Sequence, residues 1–367
     1  MRILHLDPDD MDNPLSGGGP VRNFEIYRRL ARRHDVTILT PTFAGSTPEK
    51  EREGIRYIRL GRKIRNHGSS HHITFFFELP RAIRRFEHDL LVEDFMPPMS
   101  ATFNPLFARK PMVASVQWFF ARTLADQFKL PFHWGEKYLI RLYRNFIVLT
   151  ETMRRTIVKR HPRARCAIIP NGVEESLFSL TPRAGNFILY LGRVDFGQKG
   201  VDLLLEAFAK IPPAERLPLF LAGHGYEWDR LNEMVGRLEL GPWVQTLGKV
   251  DSARRAQLYE DCRFVVVPSR DETFGMVITE ACAAGKQVVL FNQPPMNEVA
   301  PPGASELASP YNVEEFAAGM RRLIHAADQE LLHKAQVCRA WAQKFHWDAL
   351  ALEQEKFYMQ VVEDAHP

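Results

Sequence analysis

The chain has 367 residues, 45% hydrophobic and 25% charged, with 25 Pro and 22 Gly, which suits two packed domains and excludes a disordered chain or a fibrous repeat. Its net charge of +4 conceals a polarity: up to residue 180 there are 29 Lys/Arg against 19 Asp/Glu, and beyond it 19 against 25. The basic first half either meets something anionic, such as a membrane surface, or presents a solvated basic face with no partner.

In chain order the pattern predicts a strand at 3–6, a glycine loop, a helix over about 21–33, and strands at 36–40 and 55–60. A helix near 79–86, strands at 90–93 and 112–117, a helical stretch to about 144, a strand at 146–150, a helix to 160 and a strand at 167–170 complete a first doubly wound domain. After Pro170-Asn171-Gly172 the pattern restarts, with strands at 187–191, 219–222, 244–247, 264–268 and 287–291. Helices at 201–210, 227–238, 252–260 and 275–284 alternate with them, and three helical segments over 313–327, 329–345 and 347–362 follow. The fold class expected is α/β, two Rossmann-like parallel-sheet domains facing across a cleft that holds the active site.

No apolar run reaches the roughly 18–20 residues that span a bilayer. The opening MRILHLDPDD reads as a strand and not a secretory signal, so a cytoplasmic protein is expected, with any membrane contact peripheral. Cys166, Cys262, Cys282 and Cys338 form no CxxC or Cys/His cluster, so neither a disulfide frame nor a metal site is expected of them.

Three stretches carry chemistry. Gly17, Gly18 and Gly19 stand just before a basic helix, where a close backbone and free N–H groups suit a phosphate. The turn is not the GxGxxG fingerprint, and Thr40-Pro41 stand where a dinucleotide site places an acidic residue. In LYLGRVDFGQKG, Arg193 and Lys199 follow a strand and can clamp a diphosphate, one through its fork and the other as a point charge. In VVVPSRDETFGMVITEACAAG, Glu272 lies in a loop and Glu280 in the next helix, about 7–8 Å along the axis from its start at 1.5 Å per residue. That spacing lets both carboxylates flank one ligand, with the N–H groups of Phe274 and Gly275 facing a phosphate.

The last segment resembles the nucleotide-sugar motif of glycosyltransferase family 4, retaining enzymes of the GT-B fold. Further matches are the Gly17–Gly19 loop, Ile169-Pro170-Asn171-Gly172-Val173, Leu191-Gly192-Arg193, Lys199-Gly200, Ala222-Gly223-His224-Gly225 and Gly248, in the family's order from the first strand to about residue 290. The resemblance implies that Arg193 and Lys199 bind the donor diphosphate, Glu272 holds the donor sugar, Phe274 and Gly275 present amides to it, and Glu280 binds the ribose. It also implies a last helix that returns to the first domain, giving domains of 1–174 with about 350–367, and 181–345. No cofactor or metal is expected beyond a nucleotide-diphosphate sugar as co-substrate. The acceptor would be a glycan, a lipid-linked or a small-molecule hydroxyl, made into surface polysaccharide or another glycoconjugate.

One position departs from the family. A histidine commonly ends the strand near the sugar's primary hydroxyl, and here Gln117 stands there, able to hydrogen-bond but not to accept a proton. Residues 62–67, Phe75-Phe76-Phe77, Trp118-Phe119-Phe120, Phe128, Phe132 and Trp134, interleaved with Arg122, Lys129 and Lys137, suit a membrane interface or a lipid-diphosphate acceptor, or are core aromatics among solvated charges. Glu93, Asp94 and Trp118 are candidate acceptor-side residues, and no nucleic acid is expected as a partner. Two alternatives stay open. One is a catalytically silent GT-B subunit that regulates or scaffolds a partner. The other is a metal-dependent GT-A transferase, from Asp7-Pro8-Asp9 and Asp10-Met11-Asp12 after an apolar strand.

Overall fold

The computed structural model describes residues 1–14, 16, 18–62, 70–95, 103–117 and 132–365. The chain divides into two compact units, Met1–Asn171 with Trp347–Pro367, and Gly172–His346.

Unit 1 is built on eight strands: β1 Arg2–Leu6, β2 Asp35–Pro41, β3 Glu49–Arg52, β4 Ile55–Leu60, β5 Leu90–Asp94, β6 Met112–Val116, β7 Asn145–Val148 and β8 Arg165–Ile168. Their order is β3-β4-β2-β1-β5-β6-β7-β8, parallel except where β3 runs against β4. The central strands are apolar on both faces, as a sheet covered on both sides requires. Because side chains alternate along a strand, Ile3 packs with Val36, Val92 and helix α1 (Gly18–Leu30), while Leu4 and Leu6 meet helix α2 (Ser70–Arg85) through Phe75, Leu79 and Ile83. The helices at 132–139 and Glu151–Arg160 are α3 and α4.

Unit 2 has six parallel strands, β9 Ile188–Leu191, β10 Leu219–Ala222, β11 Val244–Gly248, β12 Phe264–Val267, β13 Val288–Phe291 and β14 Ser305–Ala308, ordered β11-β10-β9-β12-β13-β14. Its helices are α5 Glu175–Phe178, α6 Val201–Ala209, α7 Trp228–Arg237, α8 Ser252–Asp261, α9 Met276–Ala283, α10 Met296–Val299, α11 Val313–His325 and α12 Asp328–Ala342. The final helix, α13 (Trp347–Glu363), belongs to unit 1, where Leu350, Phe357, Tyr358 and Val361 pack in the core with Phe24 and Tyr27 of α1.

Three elements differ from expectation. β3 reads EKER, with no apolar alternation; it forms because Glu53 and Gly54, at φ +48 and +78, make a two-residue hairpin turn onto β4. A charged edge strand also guards the sheet against pairing with other chains. β14, SELA, is equally unmarked in the sequence. Helix α2 starts nine residues before the expected 79, because Pro80, which suits a first helical turn, sits inside it. Phe75 therefore lies in the core at 1% exposure, while Phe77 is 82% exposed.

Candidate functional site

In unit 2 the strand order turns back between β9 and β12, the place where open parallel sheets collect ligands at their carboxyl ends. Arg193 and Lys199 lie in the loop after β9, and Ser269 and Glu272 in the loop after β12. The fold brings Lys199 and Glu272 together. Lys199 Nζ donates to Glu272 Oε1 at 2.6 Å, and Ser269 Oγ donates to the same oxygen at 2.9 Å. The lysine and glutamate side chains are 19% and 13% exposed, so the pair is sheltered yet reachable.

The two loops are tied into one piece. Arg270 donates from both terminal nitrogens to the Asp202 carboxylate at 2.7 Å each. The N–H groups of Arg270 and Asp271 donate to the Gln198 carbonyl at 2.8 and 3.2 Å. Gln293 donates Nε2 to the carbonyls of Ser269 and Arg270. A bidentate Arg–carboxylate pair adds geometric specificity to these bonds, so Glu272 is positioned before any ligand arrives. Burial and the charge of Glu272 push the Tyr190 hydroxyl well up, and it stays a neutral donor to the Arg193 carbonyl at 2.6 Å. The Arg193 guanidinium donates to Gln198 Oε1, stands 3.7 Å from Asp195 and is half exposed.

Gly192, Gly223 and Gly248 stand at the carboxyl ends of β9, β10 and β11. Gly192 N–H donates to the Ala222 carbonyl at 3.0 Å, and Gly223 N–H to that of Gly248 at 2.7 Å. A Cβ on Gly223 would overlap the Gly192 carbonyl oxygen, so packing of the strand ends already demands glycine there. Gly223→Ala is expected to cost more than about 3 kcal/mol in a denaturant titration, whereas Gly18→Ala, with nothing among the described residues within 4 Å of the new carbon, should stay within about 0.5 kcal/mol.

Gly275, at φ +95, precedes α9. The Phe274 ring is core, 2% exposed and edge-on to Phe345 at 5.9 Å. Among the described residues, the N–H groups of Phe274 and Gly275 meet no protein acceptor, which leaves two donors at this loop. Glu280 has partners of its own. Its carboxylate, 10% exposed, accepts from Tyr259 Oη at 2.9 Å and Arg255 NH1 at 3.1 Å, and Arg255 NH2 reaches Glu174 at 2.5 Å. Burial raises the Glu280 carboxyl above its ordinary value, although Arg255 and Tyr259 oppose the rise. The eight-residue spacing predicts two carboxylates around one ligand; in the structure each has its own cation, Lys199 or Arg255.

In unit 1 the order turns back between β1 and β5. Gly18 and Gly19 open α1, and a Cβ on Gly19 would lie 3.7 Å from Gln117 Nε2, so the glycine turn and the end of β6 meet. Gln117 Nε2 is itself buried, with no hydrogen-bond partner among the described residues. Gly17 and Trp118 lie outside the described residues, as do 63–67, Phe119, Phe120, Arg122, Phe128 and Lys129.

Glu93 and Asp94, the acceptor-side candidates, are buried, at 0% and 6% exposure. Glu93 accepts from Asn104 Nδ2 at 2.9 Å and Tyr143 Oη at 2.6 Å. Asn23 Nδ2 bridges Asp94, at 2.9 Å, and Asp7, at 2.8 Å, and His5 Nε2 stands 3.3 Å from Asp94. His5, Asp7 and Asp94 each bring a ligand atom within 4.8 Å of the others. Burial, with Asp94 beside it, pushes the Asp7 carboxyl well above the usual range.

The Asp-x-Asp pairs are likewise spent on internal contacts. Asp10 accepts from Thr40 at 2.7 Å and Arg59 Nε at 2.8 Å, and Asp12 from Lys50 and Arg59, each at 2.7 Å. With two parallel-sheet units in place, the GT-A alternative is overturned. Asp202, Arg255, Tyr259 and Gln293 escape sequence reasoning, since a lone polar residue on a helix or turn has no periodic or motif signal. Ser269 and Gln198, inside the quoted segments, were within reach of it.

Residues 16–177 match the family described as Glycosyltransferase Family 4, and residues 173–337 that described as Glycosyl transferases group 1. A phosphatidyl-myo-inositol mannosyltransferase of Mycobacterium tuberculosis is 30% identical over 207 residues, 53% of each chain. The chain thus spans about half the length of the curated relatives it matches. Among solved structures, a sucrose-phosphate synthase from Thermosynechococcus elongatus superposes with a TM-score of 0.80 at 21% identity, covering 99% of both chains. Anabaena HepE in complex with UDP and glucose does so at 0.70 and 19%, covering 97% of this chain and 98% of that one. Among the described residues no helix is long and apolar enough to cross a membrane.

Proposed function

The chain belongs to glycosyltransferase family 4 and has the GT-B fold, and from that premise we propose that it is a retaining hexosyltransferase using a nucleotide-diphosphate sugar. The acceptor is a hydroxyl of a glycan, a lipid-linked or a small-molecule substrate, and the role is assembly of surface polysaccharide or another glycoconjugate.

The observation that carries this reading is the Lys199–Glu272 pair at the strand-order reversal of unit 2, locked by Arg270–Asp202. In the proposed reaction the bond from the anomeric carbon to the diphosphate oxygen breaks, and a bond to the acceptor oxygen forms on the same face. The acceptor proton passes to the leaving diphosphate. Lys199 and Arg193 carry the charge that develops on that diphosphate, an electrostatic role of the kind that is often the largest catalytic term. Glu272 accepts from donor-sugar hydroxyls, the N–H groups of Phe274 and Gly275 donate to the donor, and Glu280, oriented by Arg255 and Tyr259, takes the ribose. No metal takes part, so activity should survive excess EDTA.

Peripheral membrane contact through unit 1, at the cytoplasmic face, is supported by α2, where Ile73 and Phe77 are 56% and 82% exposed on one helical face and Arg81, Arg84 and Arg85 are also exposed.

A thermal-shift screen with UDP, GDP, ADP and dTDP tests the donor site. A ligand at about 100 times its Kd adds about 2.7 kcal/mol to native stability. One diphosphate should therefore raise Tm by several degrees, and the shift should vanish in Lys199→Ala. If none of the four does so, and no donor sugar is turned over, the reading fails. Similarity to the mycobacterial mannosyltransferase makes a mannosyl donor the first to try.

A further inference from the structure

At the amino ends of the unit 1 strands, where β1, β5 and β6 begin, lies a cavity of about 250 Å³ between the start of β1, the turn after α2 and the segment before β6. Arg2, Arg84, Arg109 and Lys110 line it. Arg2 is neutralised, donating to Glu87 at the rim and to Asp89 at 3.0 Å. Arg84, Arg109 and Lys110 have no carboxylate partner among the described residues, and all three are exposed. Arg84 stands 5.7 Å from the centroid of the Phe107 ring, which closes one side.

Set into the wall is His88, 7% exposed. Its Nδ1 lies 2.7 Å from the Phe86 carbonyl, an acceptor only, so Nδ1 carries the hydrogen. Its Nε2 is buried and has no partner among the described residues. The neutral ring therefore offers no free donor to an anion, and the three cations carry the recognition.

We infer that this cavity is a binding site for a phosphate monoester group, held by Arg84, Arg109 and Lys110. The charge fits: a phosphate monoester carries about −1.5 to −2 near pH 7, and three unneutralised cations converge on the space. The size fits too, since the cavity falls below the roughly 300–1,000 Å³ of sites for drug-sized ligands. It takes a phosphate head and a short stem, not a whole nucleotide sugar. The site is separate from the donor residues of unit 2, and its test does not use transfer activity.

Two sources supply such a group, a soluble phosphate ester or the headgroup of an anionic lipid. The probes are glycerol 3-phosphate, followed by calorimetry, and phosphatidylcholine vesicles with 20 mol% phosphatidic acid, followed by flotation against pure phosphatidylcholine, all at about 0.15 M salt, where exposed charges are screened beyond about 8 Å. The variant is Arg84→Gln/Arg109→Gln/Lys110→Gln. A charge-matched control is Arg144→Gln/Lys159→Gln/Arg163→Gln, exposed residues elsewhere in unit 1.

Binding of either probe by the full chain, weakened at least tenfold in the variant and less than twofold in the control, is the expected result. Capture of vesicles alone assigns the lipid source, and binding of glycerol 3-phosphate the soluble one. Should the triple variant melt early, the single Lys110→Glu change must give the same loss. No binding of either probe, equal loss in both triple variants, or binding of RNA alone overturns the proposal.

Discussion

Lys199→Ala is expected to lower sugar transfer by about 10²–10³-fold while the protein stays folded. The magnitude is that of removing one preorganised donor aimed at developing transition-state charge, about 2.7–4 kcal/mol. Lys199 qualifies because its ammonium is held 2.6 Å from Glu272 in a loop bound to its neighbour, not waving in solvent. Stability should change by no more than about 1 kcal/mol, the usual worth of a partly exposed ion pair. The loss should therefore appear in kcat and not in Tm. Lys199→Arg should rescue only in part, since a planar fork cannot occupy the place of a compact ammonium. A Lys199→Ala enzyme turning over near the wild-type rate would remove this residue from the site.

Glu272→Ala should cost a similar 10²–10³-fold in kcat/KM, and Glu272→Gln somewhat less, because the amide oxygen still accepts from a hydroxyl while the charge is gone. Residues in contact couple by about 0.5–3 kcal/mol, and groups that act as a unit are grossly non-additive. The Lys199→Ala/Glu272→Ala double variant should thus be little worse than either single one. Losses that multiply instead would mean that the two residues act independently and that their contact has no part in the site. Near wild-type turnover in both single variants would sink the whole assignment.

Much of the fold was legible because parallel sheets bury both faces of their central strands. Runs such as Phe264–Val267 and Val288–Phe291 are apolar throughout and stand out in any window. Edge elements carry no such mark. The charged β3 exists through its hairpin with β4, and the half-buried β14 through its register against β13. The candidate site shows the same division. Arg193, Lys199, Glu272, Gly275 and Glu280 are visible as a spaced set in loops after strands. Their present partners are not: Glu280 is bound to Tyr259 and Arg255 of α8, and Glu93 is enclosed by Asn104 and Tyr143.

By itself the sequence determined the α/β class, the alternation of strands and helices, and the family, since periodicity and spaced motifs are local properties that survive without coordinates. Tertiary structure alone decided which side chain meets which. It joined Lys199 to Glu272, gave Glu280 to Tyr259 and Arg255, buried Glu93 and Asp94, and gathered Arg84, Arg109, Lys110 and His88 around one cavity. These are contacts between residues tens of positions apart, set by strand order and by burial, and a one-dimensional pattern carries neither. The overall +4, and even the basic first half, leave open where charge acts; only the fold distinguishes an arginine paired with aspartate from one facing an open cavity.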